Sequence, residues 1–392
     1  MHTEVLLNTI GLTAAAAILP GAVELNLFNL AGLLPKRAPA KVSTFVGKIA
    51  VLIPAHNEEA SIGRCLESLS RCDNPNIADI YVIADNCTDR TASFAADLGA
   101  CVMVRRDPER RGKGQALEFA LSRLMRCGYH AFVIVDADSR VEENFLLEAR
   151  SAFASGAEAF QCPYLVSNRD ESRSTRLMDL ALRGFNLVRP QSRARLGLSA
   201  GILGNGWGVT AETLRRVPYR AGSVVEDLEY HLELLEHGVH VRYLGSTAVY
   251  GAMPTGGKGR ATQRARWEGG RLRMLRENGG KLAKAVFSGD WRMAEVLLDL
   301  LLPPLGYYVL LAVLCCVIPH SFCRILGAVG LISVAWHVIT CVLCGNSIQQ
   351  DLKTLVSVPV YIGWKLLQIP LIVTTSFKRA AWIRTTRPLE AE

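Results

Sequence analysis

The sequence predicts an α/β fold, a mostly parallel sheet with helices on both faces, flanked by transmembrane helices. Three observations predict it. From Lys48 onward, short β-branched runs alternate with amphipathic helical stretches. Several runs end in carboxylates, above all Phe132-Val-Ile-Val-Asp136-Ala-Asp138. Hydrophobic residues make up 50% of the 392-residue chain, the mean hydropathy is +0.20, and the excess gathers at the two ends.

Residues Val5 to Leu34 are almost uncharged, with Glu24 the exception. At about 1.5 Å per residue this run can cross a hydrocarbon core of roughly 30 Å. A cleaved signal peptide would carry Lys or Arg before the apolar run, and none is there. The positives follow it, at Lys36, Arg37, Lys41 and Lys48, which by the positive-inside rule places the middle of the chain in the cytosol. The expected division is an anchor over 1–38, a cytosolic α/β domain over 39–290 and a membrane region over 291–392. In that last region Met293 to Pro319 and Phe322 to Cys344 are long enough to span, with Pro303-Pro304 breaking the first. A third stretch, Leu355 to Phe377, carries Lys365, Gln368 and Pro370. The basic tail (Lys378, Arg379, Arg384, Arg387) favours a cytosolic end, and so an interfacial or re-entrant last segment.

Within the middle, Ile49 to Ile53, Ile80 to Ile83, Cys101 to Val104 and Phe132 to Val135 read as strands. Glu58 to Ser70, Thr88 to Leu98, Gly114 to Arg126 and Leu228 to Leu235 read as helices, the first with Ile62, Cys65, Leu66 and Leu69 on one face.

Several functions are disfavoured. A dinucleotide-binding turn needs glycines after the first strand, but that turn is Pro54-Ala-His-Asn-Glu-Glu59. Gly204-Asn-Gly206-Trp-Gly208 comes too late to serve. Gly256-Gly-Lys-Gly259 lacks the spacing of a phosphate loop. The net charge of +8 would suit nucleic acid, but no basic–aromatic motif supports it. Anionic lipid headgroups and a nucleotide diphosphate account for it more simply. The 11 cysteines show no disulfide framework, and Cys341-x-x-Cys344, inside an apolar helix, reads as packing. A reduced cytosolic domain follows.

The acids at successive strand ends are Glu58 and Glu59, then Asp85, then Asp136 and Asp138. In a parallel sheet these ends gather at one edge, where open α/β sheets bind ligands. Carboxylates side by side favour a hard cation, Mg²⁺ or Mn²⁺, with phosphates as co-ligands. Between them lies the basic loop Arg105-Arg-Asp-Pro-Glu-Arg110-Arg-Gly-Lys113-Gly, which suits a diphosphate or is simply solvated. Glu226-Asp227 opens a helix, as capping acids do; functionally, Asp227 is a candidate general base. In Gln263-Arg-Ala-Arg266-Trp267, arginine can hold a phosphate leaving group and tryptophan offers a flat face to a sugar ring. The same pentapeptide also fits an amphipathic interfacial helix. The Arg-rich segment Asn168 to Leu198 reads either as a solvated helix face or as a surface near anionic lipid.

Pro54-Ala-His-Asn-Glu-Glu59, Ala84-Asp-Asn-Cys-Thr-Asp89, Asp136-Ala-Asp138, Glu226-Asp227 and Gln263-Arg-Ala-Arg-Trp267 stand in an order that resembles the membrane-embedded family 2 glycosyltransferases. That branch contains the cellulose, chitin and hyaluronan synthases and the ceramide glucosyltransferases. The resemblance covers roughly residues 48 to 270. It implies a GT-A fold and a metal-dependent, inverting transfer from a nucleotide sugar, usually a UDP-sugar. It further implies that Glu58 and Asp85 contact the uridine and that Lys113 approaches the nucleotide. Asp138, with Asp136, would bind Mg²⁺ or Mn²⁺. Asp227, beside Glu226, would take the acceptor proton, and Gln263, Arg266 and Trp267 would line the acceptor site and help hold the diphosphate.

The expected partners are a nucleotide-sugar donor, a lipid-linked or polysaccharide acceptor and membrane lipids, with polysaccharide-assembly proteins in addition. The chain has fewer apolar segments than the large synthases, which argues against a wide secretion channel. Two readings compete: a polyprenyl-phosphate or ceramide-type lipid glycosyltransferase, and a catalytically silent scaffold of a polysaccharide export complex. No motif acid is missing, which favours an enzyme.

Overall fold

The structure is a computed structural model and describes residues 2–35, 45–220 and 225–377. Lys36, Arg37, Lys41 and the basic tail lie outside the described residues. The described residues pack as two compact units, one within residues 45–262 and the other formed by residues 2–35 with 263–377. The boundary falls inside the helix Gly257–Phe287. Gln263 to Trp267 therefore pack with the apolar helices.

In the first unit the described strands are β1 (Ile49–Ala55), β2 (Ala78–Asp85), β3 (Cys101–Arg105), β4 (Ala131–Ile134), β5 (Ser139–Val141), β6 (Ala159–Gln161), β7 (Tyr164–Val166), β8 (Trp207–Thr210), β9 (Val241–Tyr243) and β10 (Val249–Gly251). Seven form one sheet in the order β3-β2-β1-β4-β8-β6-β9, and β5, β10 and β7 form a second. The first four strands are parallel, as the βαβ alternation predicts. The sheet as a whole is mixed, because β8 runs antiparallel to both β4 and β6.

The central strands are buried on both faces. Ile49, Val51 and Ile53 face one layer with Ile62, Cys65 and Leu69 of the helix Ile62–Ser70. Ala50 and Leu52 face the other with Leu117 and Leu121 of the helix Lys113–Leu124. Phe132 and Ile134 continue that second layer, so β4 carries its carboxylates out of a wholly apolar run.

In the second unit, Glu4–Ala31 and Ser321–Leu343 are long and apolar enough to cross a membrane. Two further helix pairs are bent, Arg292–Leu301 with Leu305–Val317 by 78° and Val358–Leu366 with Ile369–Phe377 by 49°. The first bend lies at Pro303-Pro304, where the ring closures end one helix and open the next. Lys365, awkward in an apolar stretch, is buried against Glu268 with Nζ 2.6 Å from Oε1. Arg276 donates to the Ser376 carbonyl at 2.9 Å. The last apolar stretch thus lies along the helix Gly257–Phe287. All eleven cysteines are free thiols, Cys341 and Cys344 among them.

Candidate active site

Asp85 is the last residue of β2, and Glu58 and Asp136 follow the C-terminal ends of β1 and β4; β1 lies between β2 and β4 in the sheet. The turns there are tied together across the strands. Asn57 (φ 54°) and Asn86 (φ 52°) both adopt left-handed backbone, which asparagine tolerates better than most residues. Asn57 Oδ1 accepts from the Thr88 N–H at 2.8 Å, and the Glu58 N–H donates to Thr91 Oγ1 at 2.8 Å. His56 Nδ1 lies 2.7 Å from the Asp85 carbonyl.

Asp85 is buried. Arg105 Nη1 reaches its Oδ1 at 2.6 Å, and Asn86 Nδ2 donates to the same oxygen at 3.0 Å. Arg105 also binds Asp107 at 2.9 Å and the Arg110 carbonyl at 2.7 Å. Arg105 therefore matches Asp85 within the fold instead of presenting its charge from a solvated loop. A buried guanidinium held by two carboxylates and a carbonyl is a fixed brace for the strand ends.

Asp136 and Asp138 are half-buried at the start of a tight turn after β4, closed by the Ser139 N–H to the Asp136 carbonyl at 3.0 Å. Lys113 opens the helix Lys113–Leu124 and sends its ammonium to both the Asp136 carboxylate and the Gly204 carbonyl. Burial works against that charge, but Asp136, together with Glu226 and Asp227, holds the Lys113 ammonium above its ordinary range.

Glu226 and Asp227 occupy the first turn of the helix Glu226–Glu236, and Asp227 Oδ1 accepts from the Leu228 N–H at 2.9 Å. The capping role and the proximity to the site coexist. Gly204 (φ +85°) runs past Asp227 so closely that a β-carbon would lie 2.9 Å from Oδ2. Burial pushes the Asp227 carboxyl above its ordinary value. The Leu228 N–H and the Lys113 charge pull it down, and Asp136 adds to the rise. A carboxyl raised in this way is a stronger base than an ordinary carboxylate, as proton abstraction requires.

One segment was missed in the sequence. Gly204-Asn205-Gly206 fails the dinucleotide test, yet it touches Lys113, Asp136 and Asp227. Its signal was the cluster of glycines, which marks backbone in close approach to something else. The Arg-rich segment also differs from a solvated face: Arg183, Arg189 and Arg193 are buried, and Arg183 pairs with Asp179 at 3.0 Å.

The donor set at Asp136 and Asp138, two hard oxygens beside a cationic side chain, fits Mg²⁺ or Mn²⁺ completed by phosphate oxygens. Among the described residues, three carboxylates converge within 4.8 Å elsewhere, at Glu24, Glu295 and Asp299 of the second unit. There Arg271 Nη1 meets Asp299 Oδ2 at 2.7 Å. In that same unit Gln263 is buried, while Arg266 and Trp267 are half-buried on the helix Gly257–Phe287.

Residues 47–270, more than half of the chain, match the family described as glycosyltransferase like family 2. The chain belongs to that family. Two curated relatives show what the chain is similar to. It is 25% identical over 231 residues to a probable glycosyltransferase, YdaM, of Bacillus subtilis, covering 57% of this chain and 55% of that protein. It is 28% identical over 271 residues to a beta-monoglucosyldiacylglycerol synthase of Synechocystis, covering 66% and 56%. The chain thus spans about half the length of the curated relatives it matches. A mannosyltransferase of Pyrobaculum calidifontis, solved in complex with GDP-Man and Mn²⁺, shares its fold with a TM-score of 0.59 at 18% identity, over 95% of this chain and 98% of that one. The chain therefore has the α/β GT-A-like architecture.

Proposed function

We propose that this glycosyltransferase moves a hexosyl or N-acetylhexosaminyl unit from a UDP-sugar to a lipid-linked or growing polysaccharide acceptor, with inversion, at the cytosolic membrane face. The convergence of Lys113, Asp136 and Asp227 around Gly204 carries the reading. These three side chains would serve as the cation for the diphosphate, a carboxylate for the metal and the base.

Glu58 and Asp85 would receive the donor's base, with Arg105 keeping the Asp85 carboxylate in place. Lys113 would turn to the diphosphate. Asp138 and Asp136 would hold a Mg²⁺ or Mn²⁺ ion, whose charge when bound offsets that of the departing diphosphate. Asp227 would take the proton from the acceptor hydroxyl as its oxygen attacks the anomeric carbon. The carbon–oxygen bond to the diphosphate then breaks, and the electron pair leaves with the UDP. The acceptor role of Gln263, Arg266 and Trp267 rests on the resemblance of their motif alone, and Glu226 would stand beside the base.

The glycolipid synthase among the relatives favours a lipid acceptor over a polymer. The two helices able to cross a membrane favour an integral membrane protein. Lys365, neutralised by Glu268 of a helix rich in arginine, favours an interfacial last segment over a span. The test is full-length protein in lipid nanodiscs, given UDP-glucose, UDP-galactose, UDP-N-acetylglucosamine or GDP-mannose with Mn²⁺ and diacylglycerol. Mass spectrometry should find one added sugar on the lipid. A ladder of additions would move the assignment to a polymer acceptor, and a product found only with added polyprenyl phosphate would move it to that lipid. Full activity in Asp227→Asn or Asp138→Ala would remove the roles assigned to those residues. Nucleotide-sugar binding that is absent, alongside capture of polysaccharide-assembly proteins, would point to a scaffold.

A further inference from the structure

Asn205 has no direct place in the chemistry above, yet it is fully buried between the two halves of the site. Its Oδ1 accepts from the Asp136 N–H at 3.0 Å, and its Nδ2 donates to Ser139 Oγ at 2.8 Å. These two groups are the first and last residues of the turn that carries both metal-binding carboxylates. One side chain thus clamps the turn at both ends. Ser139 Oγ also lies 3.5 Å from Asp138 Oδ1.

The Asn205 backbone is itself fastened. Gln161, also fully buried, donates from Nε2 to the Asn205 carbonyl at 2.6 Å and to the Cys162 carbonyl at 2.7 Å. Its Oε1 accepts from the Leu203 N–H at 2.8 Å. The Gly206 N–H donates to the Ile134 carbonyl at 3.0 Å, which pins the loop to the last residue of β4. Between Leu203 and Asn205 sits Gly204, whose carbonyl receives Lys113 and whose α-carbon abuts Asp227. Three buried polar side chains therefore join the carboxylate turn to the loop that faces the base. Buried amides are costly unless their hydrogen bonds are made, and here those bonds hold one geometry.

We propose that Asn205, supported by Gln161 and Ser139, is a positioning residue that sets the Asp136–Asp138 turn for metal binding and fixes its spacing to Asp227. The proposal rests on the reading of Asp136 and Asp138 as the metal pair.

Full-length protein in detergent is titrated with Mn²⁺, with and without UDP, and free Mn²⁺ is read by electron paramagnetic resonance. Asn205→Ala should weaken Mn²⁺ binding by about 10- to 100-fold, the range typical for lost partners of metal ligands. Ser139→Ala, which removes one bond of the clamp, should weaken it less and in the same direction, and it carries the test if Asn205→Ala does not fold. Val209→Ala, a buried core change on β8, controls for lost stability and should leave the Mn²⁺ affinity unchanged. Wild-type affinity in both Asn205→Ala and Ser139→Ala, or an equal loss in Val209→Ala, overturns the positioning role while the metal pair stands. Failure of the wild-type protein to bind Mn²⁺ even with UDP, or undiminished binding in Asp136→Ala with Asp138→Ala, overturns the metal pair itself.

Discussion

Gly204 lies against Asp227 so tightly that the smallest side chain would crowd the carboxylate, its β-carbon 2.9 Å from Oδ2. At φ +85° the same residue sits where an L side chain costs about 1–2 kcal/mol. Gly204→Ala is expected to fold with a lowered melting temperature and to lose activity by more than its stability loss accounts for. Wild-type kcat in this variant would show that the contact does not constrain the Asp227 carboxylate in turnover.

Lys113 holds the Asp227 carboxyl down while burial pushes it up. Lys113→Ala removes the restraint, so the acid limb of the pH–rate profile should move to higher pH. Lys113→Arg keeps the charge and should leave the limb closer to wild type. A limb that does not move in Lys113→Ala would separate the two groups.

Asp227→Asn tests the same carboxyl through stability. A carboxyl whose folded value is raised binds its proton more tightly in the folded state. Its contribution is present in full below its ordinary value of 3.8 and is lost as pH rises through the raised value. Melting temperatures from pH 4 to pH 8 should therefore fall more for wild type than for Asp227→Asn. Activity should drop by about 10²- to 10⁴-fold, the usual contribution of a general base.

Arg105 and Asp85 form a pair with both side chains buried. Removing one partner leaves a buried charge, which typically costs about 3–5 kcal/mol. Arg105→Met is expected to be strongly destabilised, and adding Asp85→Leu should recover most of the loss in a thermal melt. No recovery in the double variant would mean that Arg105 acts through Asp107 and the Arg110 carbonyl instead.

Much of this site was legible in the chain because its parts are local. The runs before Asp85 and Asp136 are apolar enough to be buried strands, and a parallel sheet brings their ends together without further information. Lys113 was legible as a cation near glycines, but its partners Asp136 and the Gly204 carbonyl stand 23 and 91 residues away. Asn205 was illegible for the same reason: its meaning lies in bonds to Asp136, Ser139 and Gln161. The antiparallel β8 is four residues long and holds a glycine, too short for periodicity to declare its direction. The arginines at 183, 189 and 193 look like surface residues by type, and only their packing shows otherwise.

The buried pair of Glu268 and Lys365 also imposes an order in time. Glu268 leaves the ribosome nearly a hundred residues before Lys365. At about 5–20 residues per second, that is a wait on the order of 5–20 s. Until then the carboxylate that follows Trp267 lacks its counter-ion, and the helix that carries Gln263 and Arg266 lacks the segment that covers it. The stretch around Lys365 is thus a late-arriving cover for this helix, and a chain released before Lys365 would leave Glu268 without that partner.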